Sequence, residues 1–115
     1  MRRGKNRKFG REKRLREALY KSLATALIDR GRIKTTSAKA KSLSAFADKL
    51  ITTAKKQNLA SRKKLSSVFH QKTVKILVDE IAPRFSDRKG GYTRVIRLGQ
   101  RKSDGSEMAF IEFTM

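Results

Sequence analysis

The spacing of the apolar residues changes once along the chain, and this change restricts the fold more than any other feature. Before Pro83, the single proline, apolar residues recur every three or four positions, which is the spacing of an amphipathic helix. After Pro83 they fall in two short runs rich in β-branched and aromatic residues. This order predicts helices followed by a hairpin, and therefore a two-layer α+β domain.

Two long helices are predicted in the first half of the chain. The first covers residues 12–30 and ends at Gly31. Its inner face carries leucines at helical spacing: Leu15, Leu19, Leu23 and Leu27. The second covers residues 38–56 and is capped by Thr36 or Ser37. Residues 32–35 between them are predicted to be a short extended segment.

Shorter elements follow. Asn58 is predicted to open a third helix that reaches Phe69, and a fourth helical stretch is predicted to end at Pro83. Residues 92–98 and 108–113 are predicted to form a C-terminal β-hairpin with a long basic connection. The expected fold is therefore three to four helices packed on a small mixed sheet.

Positive charge indicates the kind of partner. The chain has 30 Lys and Arg against 10 Asp and Glu, a net charge of +20 on 115 residues. Such a charge opposes compaction through self-repulsion, so a polyanionic partner is expected. Residues 1–16 hold nine basic residues and one acid. We interpret residues 1–11 as a basic N-terminal arm and residues 12–115 as a single compact domain.

The sequence offers little for catalysis. It has no cysteine, one histidine (His70), and an adjacent acid pair, Asp79 and Glu80, whose side chains diverge on a helix. The glycines match no nucleotide-binding motif. We therefore expect no enzyme, catalytic residue, metal, cofactor or small-molecule substrate. Uncharged stretches reach only seven residues, so no membrane span and no secretory signal are expected, and the expected location is the cytoplasm.

The basic residues favour RNA over DNA. In the segment 88–94, RKGGYTR, glycines allow close approach of the backbone to phosphate, and arginine binds phosphate or stacks on a base. The helix after residue 36 lacks the polar cluster by which a helix–turn–helix protein reads bases. The predicted RNA-binding residues are Arg2, Arg3, Lys5, Arg7, Lys8, Arg11, Arg14, Arg16, Lys34, Lys39, Lys41, Arg88, Tyr92 and Arg94. For Tyr92, packing in the core is the competing interpretation.

Two alternatives remain open on the chemistry of the residues alone. A nucleoid-associated DNA-binding protein would fit the charge, and sedimentation with DNA would distinguish it. A small RNA-processing enzyme fits less well, because no pair of carboxylates or histidines shares one face.

Several segments resemble the family of bacterial large-subunit ribosomal protein seventeen (L17). They are 32–36 (RIKTT), 39–41 (KAK), 50–55 (LITTAK), 83–85 (PRF), 88–94 (RKGGYTR) and 101–112 (RKSDGSEMAFIE). The resemblance implies a two-layer α/β fold and a structural, non-catalytic role in the ribosome. It also implies binding to large-subunit ribosomal RNA near the peptide exit side, beside neighbouring large-subunit proteins. Arg3 and Leu15 stand where the family commonly has histidine, and Ser22 where it has asparagine.

Overall fold

The elements follow the order that the sequence predicts, helices first and a hairpin last. The computed structural model describes residues 10–114, with side chains from residue 13 onward. Its elements are α1 (Gly10–Arg30), β1 (Arg32–Thr36), α2 (Ser37–Ala54), α3 (Leu59–Ser66), α4 (Gln71–Lys75), a π-helical turn (Ile76–Ile81), a 3₁₀ turn (Ala82–Phe85), β2 (Thr93–Gln100) and β3 (Glu107–Phe113). The α+β class is confirmed. Of the predicted arm, residues 1–9 lie outside the described part, and residues 10 and 11 belong to α1.

The three strands form one sheet in the order β1-β3-β2. Arg32 of β1 and Arg94 of β2 both lie opposite Glu112 of β3, and both strands run antiparallel to β3. The prediction of a mixed sheet is therefore wrong, because both outer strands pair only with a central strand that runs the opposite way. A register irregularity between Arg97 and Gly99 interrupts the β2–β3 ladder.

One face of the sheet is covered by helices and forms the core. α2 contributes buried apolar residues along one stripe: Ala40, Leu43, Ala47, Ile51 and Ala54. β3 contributes Ala109, Ile111 and Phe113 to the same cluster, which also takes residues from α1 and the π-helical turn. Full burial of a leucine or isoleucine contributes about 1.5–3 kcal/mol. This cluster therefore supplies the main driving force for folding.

Local capping explains where the helices begin and end. The Thr36 hydroxyl accepts the Lys39 backbone N–H (3.3 Å), and the Asn58 side chain accepts that of Ser61 (2.8 Å). Both residues were predicted as caps. α1 ends at Gly31, whose φ of +82° lies in the left-handed region and whose N–H reaches the Leu27 carbonyl (2.6 Å).

The first half of α1 differs from the prediction. Leu27 lies in the core and Leu23 packs against it, as the leucine spacing predicts. Leu15 and Leu19 instead remain 65% and 37% exposed. A helix of 21 residues is about 30 Å long, and the rest of the described chain covers only its second half. The predicted four-leucine inner face is therefore wrong for the first two leucines.

The fourth helical stretch also differs from the prediction. α4 passes into the π-helical turn, and Pro83 lies within the 3₁₀ turn instead of ending the helical segment. Pro83 has no N–H, so it cannot satisfy the Val78 carbonyl five residues earlier. The Gln57 side chain donates to that carbonyl instead (2.9 Å). The third helix stops at Ser66, so Phe69 lies in the following turn.

Candidate nucleic-acid interface

Most of the predicted arm residues cannot be placed. Arg2, Arg3, Lys5, Arg7 and Lys8 lie outside the described residues, and Arg11 is described only by its backbone position in α1. The RNA-binding role predicted for these six residues stays a prediction.

The first half of α1 presents basic and apolar side chains together. Arg14 and Arg16 are exposed, as is the neighbouring Lys13. Leu15 and Leu19 lie uncovered on the same part of the helix. Leu15 is one of the two positions at which the resemblance implies a histidine that this sequence lacks. This part of the helix is available to a partner, because little of the described chain packs on it.

A second group of basic side chains surrounds the junction of β1 and α2. Lys34 is exposed near the end of β1, and Lys39 and Lys41 are exposed in the first turns of α2. Thr36 joins the two elements, since it ends the strand and caps the helix. The unpaired backbone N–H groups at the start of a helix add a positive potential to that of the lysines.

The glycine-containing segment 88–94 is anchored by Tyr92. This side chain is 1% exposed and packs edge-on against Phe85, with ring centroids 5.2 Å apart. Its hydroxyl accepts a hydrogen bond from the Lys55 ammonium (3.0 Å) and donates one to the Arg88 carbonyl (3.2 Å). The bond from Lys55 lowers the pKa of Tyr92. Tyr92 is therefore packed in the core, as the competing interpretation predicts, and its ring is not accessible for stacking on a base.

Arg88 and Lys55 hold the same segment from outside. The Lys55 ammonium donates to the Arg88 carbonyl as well as to Tyr92. The Arg88 guanidinium donates to the Thr114 hydroxyl (2.8 Å), which in turn donates to the backbone of the glycine segment. Arg88 remains exposed, so its remaining N–H groups are accessible.

A basic cleft lies where α2, α3 and the glycine segment meet. It measures about 440 Å³ and is lined by Lys49, Lys64 and Lys89 together with Gly90. None of these three lysines was among the predicted RNA-binding residues. Lys49 and Lys64 lie on helices, where a lysine is commonly a solvated surface residue. Sequence spacing alone does not indicate that α2 and α3 bring them to the glycine segment.

Asp48 is the acidic residue of this cleft. Burial raises its pKa, and this effect is partly offset by hydrogen bonds from the Thr93 hydroxyl (3.3 Å) and the Tyr92 backbone. The Thr93 hydroxyl also lies 2.7 Å from that of Ser44. Asp48 is thus held inward, toward the start of β2, while the lysines around it are exposed.

Arg94 lies on the sheet face opposite the helices. Its guanidinium forms an ion pair with Glu112 (2.6 Å), and Arg32 reaches the same carboxylate from the other side (3.5 Å). Arg32 was not predicted as a site residue. Strand alternation could have indicated Arg32, because Lys34 was predicted as a site residue and residues 32 and 34 of a strand lie on the same face.

Within residues 13–114, no group of three or more His, Asp or Glu is arranged to hold a metal ion. His70 is exposed at the start of α4. Asp79 forms an ion pair with Arg62 (3.2 Å). No helix in the described part of the chain is long and apolar enough to cross a membrane.

These features define a small α+β protein whose exposed surface is basic on several sides. Residues 19–114 match the family model of ribosomal protein L17. The large ribosomal subunit protein bL17 of Symbiobacterium thermophilum is 47% identical over 94% of this chain and 96% of its own length. The bL17 of Halothermothrix orenii is also 47% identical (92% and 94% covered), and that of Staphylococcus carnosus is 45% identical (92% and 96%). The chain belongs to the ribosomal protein L17 family.

Proposed function

We propose that this protein is a structural constituent of the large ribosomal subunit and that it binds ribosomal RNA there. The observation that carries the proposal is its membership in a family whose members match it over nearly their whole length. Those relatives are named as proteins of the large ribosomal subunit. Its place would be in the cytoplasm, within the ribosome, beside other large-subunit proteins.

The distribution of charge supports RNA as the direct partner. Exposed basic residues lie on the first half of α1, at the β1–α2 junction and around the basic cleft. A protein that neutralises phosphates on several sides is suited to folded RNA, in which separate helices and loops approach it together. The residues we assign to this role are Arg14, Arg16, Lys34, Lys39, Lys41, Arg88 and Arg94, with Lys49, Lys64 and Lys89 added from the cleft.

The role is structural and not enzymatic. Family membership indicates a component of an assembly, and the described side chains present an ionic and hydrogen-bonded surface. In such a role the protein would stabilise the RNA by neutralising phosphates that fold close to one another.

Sedimentation tests the proposal. The purified full-length protein is mixed with a DNA fragment and with large subunits depleted of their own copy. At moderate salt it should sediment with the subunits and should not bind the DNA. If about six to ten phosphates are neutralised, affinity should fall by about 10³–10⁵ between 50 and 200 mM salt. Preference for DNA over the depleted subunits, or affinity that does not change with salt, would refute the proposal.

The arm is proposed to add to RNA binding without supporting the fold. Removing residues 1–9, the part of the arm that precedes α1, should weaken binding to large-subunit RNA and reduce its salt dependence, because five basic residues are lost. Helical circular dichroism and the midpoint of thermal unfolding should not change. Loss of helical signal on truncation would show that the arm is part of the folded domain.

A further inference from the structure

The sheet face turned away from the helices carries an ordered row of charges. Arg32, Glu112 and Arg94 lie side by side on β1, β3 and β2. The Glu112 carboxylate binds Arg94 at 2.6 Å and Arg32 at 3.5 Å, and its side chain is only 14% exposed. The acid therefore lies beneath two arginines whose own side chains are more than half exposed.

Arg32 is fixed by a second contact. The central carbon of its guanidinium lies 3.6 Å from the centroid of the Phe110 ring, which is a close cation–π contact. Phe110 is on β3, two residues from Glu112, and is paired with Lys34 of β1 and Ile96 of β2. The guanidinium thus lies over an aromatic ring and close to a carboxylate, while the Arg32 side chain remains 52% exposed to solvent.

The surroundings of Arg32 combine positive charge with apolar surface. Lys34 is exposed beside Phe110, and Ile96 and Leu98 are exposed along β2. Two arginines and one lysine face a single carboxylate, so this part of the sheet keeps a net positive charge. Positive charge next to apolar surface suits a partner that has both negative charges and exposed flat rings. A single-stranded RNA has both, because its phosphates are negative and its unpaired bases are exposed.

We propose that the solvent side of the Arg32 guanidinium is a stacking platform for an unpaired RNA base. Phe110 supports the platform from below, and Glu112 fixes its orientation. Arg94 and Lys34 flank it and neutralise the phosphates of the same nucleotide and its neighbour. The inference rests on the proposed RNA-binding function and adds a sheet-face site to it.

The arrangement favours stacking over simple attraction to phosphate. An arginine that acts only through its charge does not need a fixed plane, whereas a stacking surface binds a base with less loss of conformational freedom when its position is fixed beforehand. Lysine keeps the charge of arginine but has no plane on which a base can stack. Replacing Arg32 with lysine therefore separates the two roles.

The experiment measures binding of full-length protein to two fluorescent 12-nucleotide RNAs. One is single-stranded with mixed bases, and the other has the same backbone but abasic central positions. The variants are Arg32→Lys, Phe110→Leu and Glu112→Gln. Arg62→Lys serves as the matched control, since Arg62 also forms an exposed ion pair but lies on α3. Circular dichroism verifies that each variant is folded.

We expect Arg32→Lys to bind the base-containing RNA more weakly by roughly 5- to 150-fold, taking the loss of a base stacked on an aromatic side chain as the guide. Its affinity for the abasic RNA and the affinities of Arg62→Lys should match those of the unmodified protein. Phe110→Leu should lose less affinity than Arg32→Lys, and its loss should again be confined to the base-containing RNA. Glu112→Gln should also weaken binding to bases, although it removes one negative charge from the face.

Two results would overturn the platform. If Arg32→Lys binds both RNAs as the unmodified protein does and Glu112→Gln binds them more tightly, the face acts through charge alone. If Arg32→Lys binds RNA normally but is poorly retained in large subunits, the face contacts a neighbouring protein. In either case the unmodified protein would still sediment with depleted subunits, so these outcomes differ from failure of the proposed function.

Discussion

The two halves of α1 have the same leucine spacing but different surroundings. In the second half, Leu23 and Leu27 pack with α2, β1 and the π-helical turn. In the first half, Leu15 and Leu19 are exposed beside Arg14 and Arg16. Helical spacing determines which residues share a face, but burial depends on whether another element lies over that face. The second half therefore contributes to the fold, and the first half is left for a partner.

The largest expected effect tests this difference directly. Leu27→Ala should lower the free energy of unfolding by about 2–5 kcal/mol, because it opens a cavity in a fully buried site. Leu15→Ala should change it by less than about 0.5 kcal/mol. Urea denaturation monitored by circular dichroism measures both. A large loss in Leu15→Ala would mean that the first half is also part of the core.

The next effect concerns binding. Affinity for large-subunit RNA falls as salt rises. Replacing both Arg14 and Arg16 with glutamine should make the slope of log affinity against log salt shallower by about two. Arg30→Gln, at the exposed C-terminal end of the same helix, is the control and should leave the slope unchanged. Filter binding at several salt concentrations provides the slopes. Equal slopes for the two sets of variants would contradict a division of roles along α1.

A smaller effect locates the boundary between the two halves. Tyr20 packs against Phe46 of α2 with ring centroids 6.2 Å apart. Tyr20→Leu should cost about 0.5–1.5 kcal/mol of stability through loss of the aromatic pair, and Tyr20→Phe should cost almost nothing. The same denaturation measurements apply. If Tyr20→Leu were as stable as the unmodified protein, the covered half of α1 would begin later, near Ala24.

The smallest expected effect is on the pH dependence of stability, and it compares a partly buried carboxyl, Asp48, with an exposed one, Asp104. Burial raises the pKa of Asp48, whereas the Arg101 side chain lowers that of exposed Asp104. The stability gained through Asp48 is fully present below pH 3.8 and is lost as pH rises through its folded pKa. The stability gained through Asp104 is present above pH 3.8 and is lost as the pH falls through the pKa of Asp104 in the folded protein.

Carbon-detected NMR titration of the side-chain carboxyls should therefore place the midpoint of Asp48 above 3.8 and that of Asp104 below it. In Arg101→Gln the midpoint of Asp104 should rise toward the ordinary value, with that of Asp48 unchanged. Titration of both carboxyls at the ordinary value would show that neither environment perturbs them.

Local signals made much of the fold predictable. The caps at Thr36 and Asn58, the stop at Gly31 and the two β-rich runs are each determined by a few neighbouring residues. The antiparallel pairing of β1 with β3 was not predictable in the same way, because it joins segments that are distant in sequence. The π-helical turn was also missed, and the Val78 carbonyl within it accepts a hydrogen bond from Gln57, a contact between residues distant in sequence.

The candidate interface was less predictable than the fold. Charge counts identified basic segments, but they could not show that Tyr92 is buried or that Lys49 and Lys64 share a cleft with Lys89. Nor could they show that the Arg32 guanidinium lies over the ring of Phe110. Each of these facts depends on contacts between elements, which a single sequence does not contain.

The position of β3 in the centre of the sheet has a consequence for synthesis. Arg32 pairs with Glu112, eighty residues later, so β1 leaves the translating ribosome long before its partner exists. β2 depends on the same partner. The backbone hydrogen bonds of each helix lie within that helix, so the helices can begin to form while the chain is growing, whereas the sheet and the core against it must wait for the last strand. Until then both outer strands are unpaired, and their arginines and lysine limit the chance that they pair with another nascent chain.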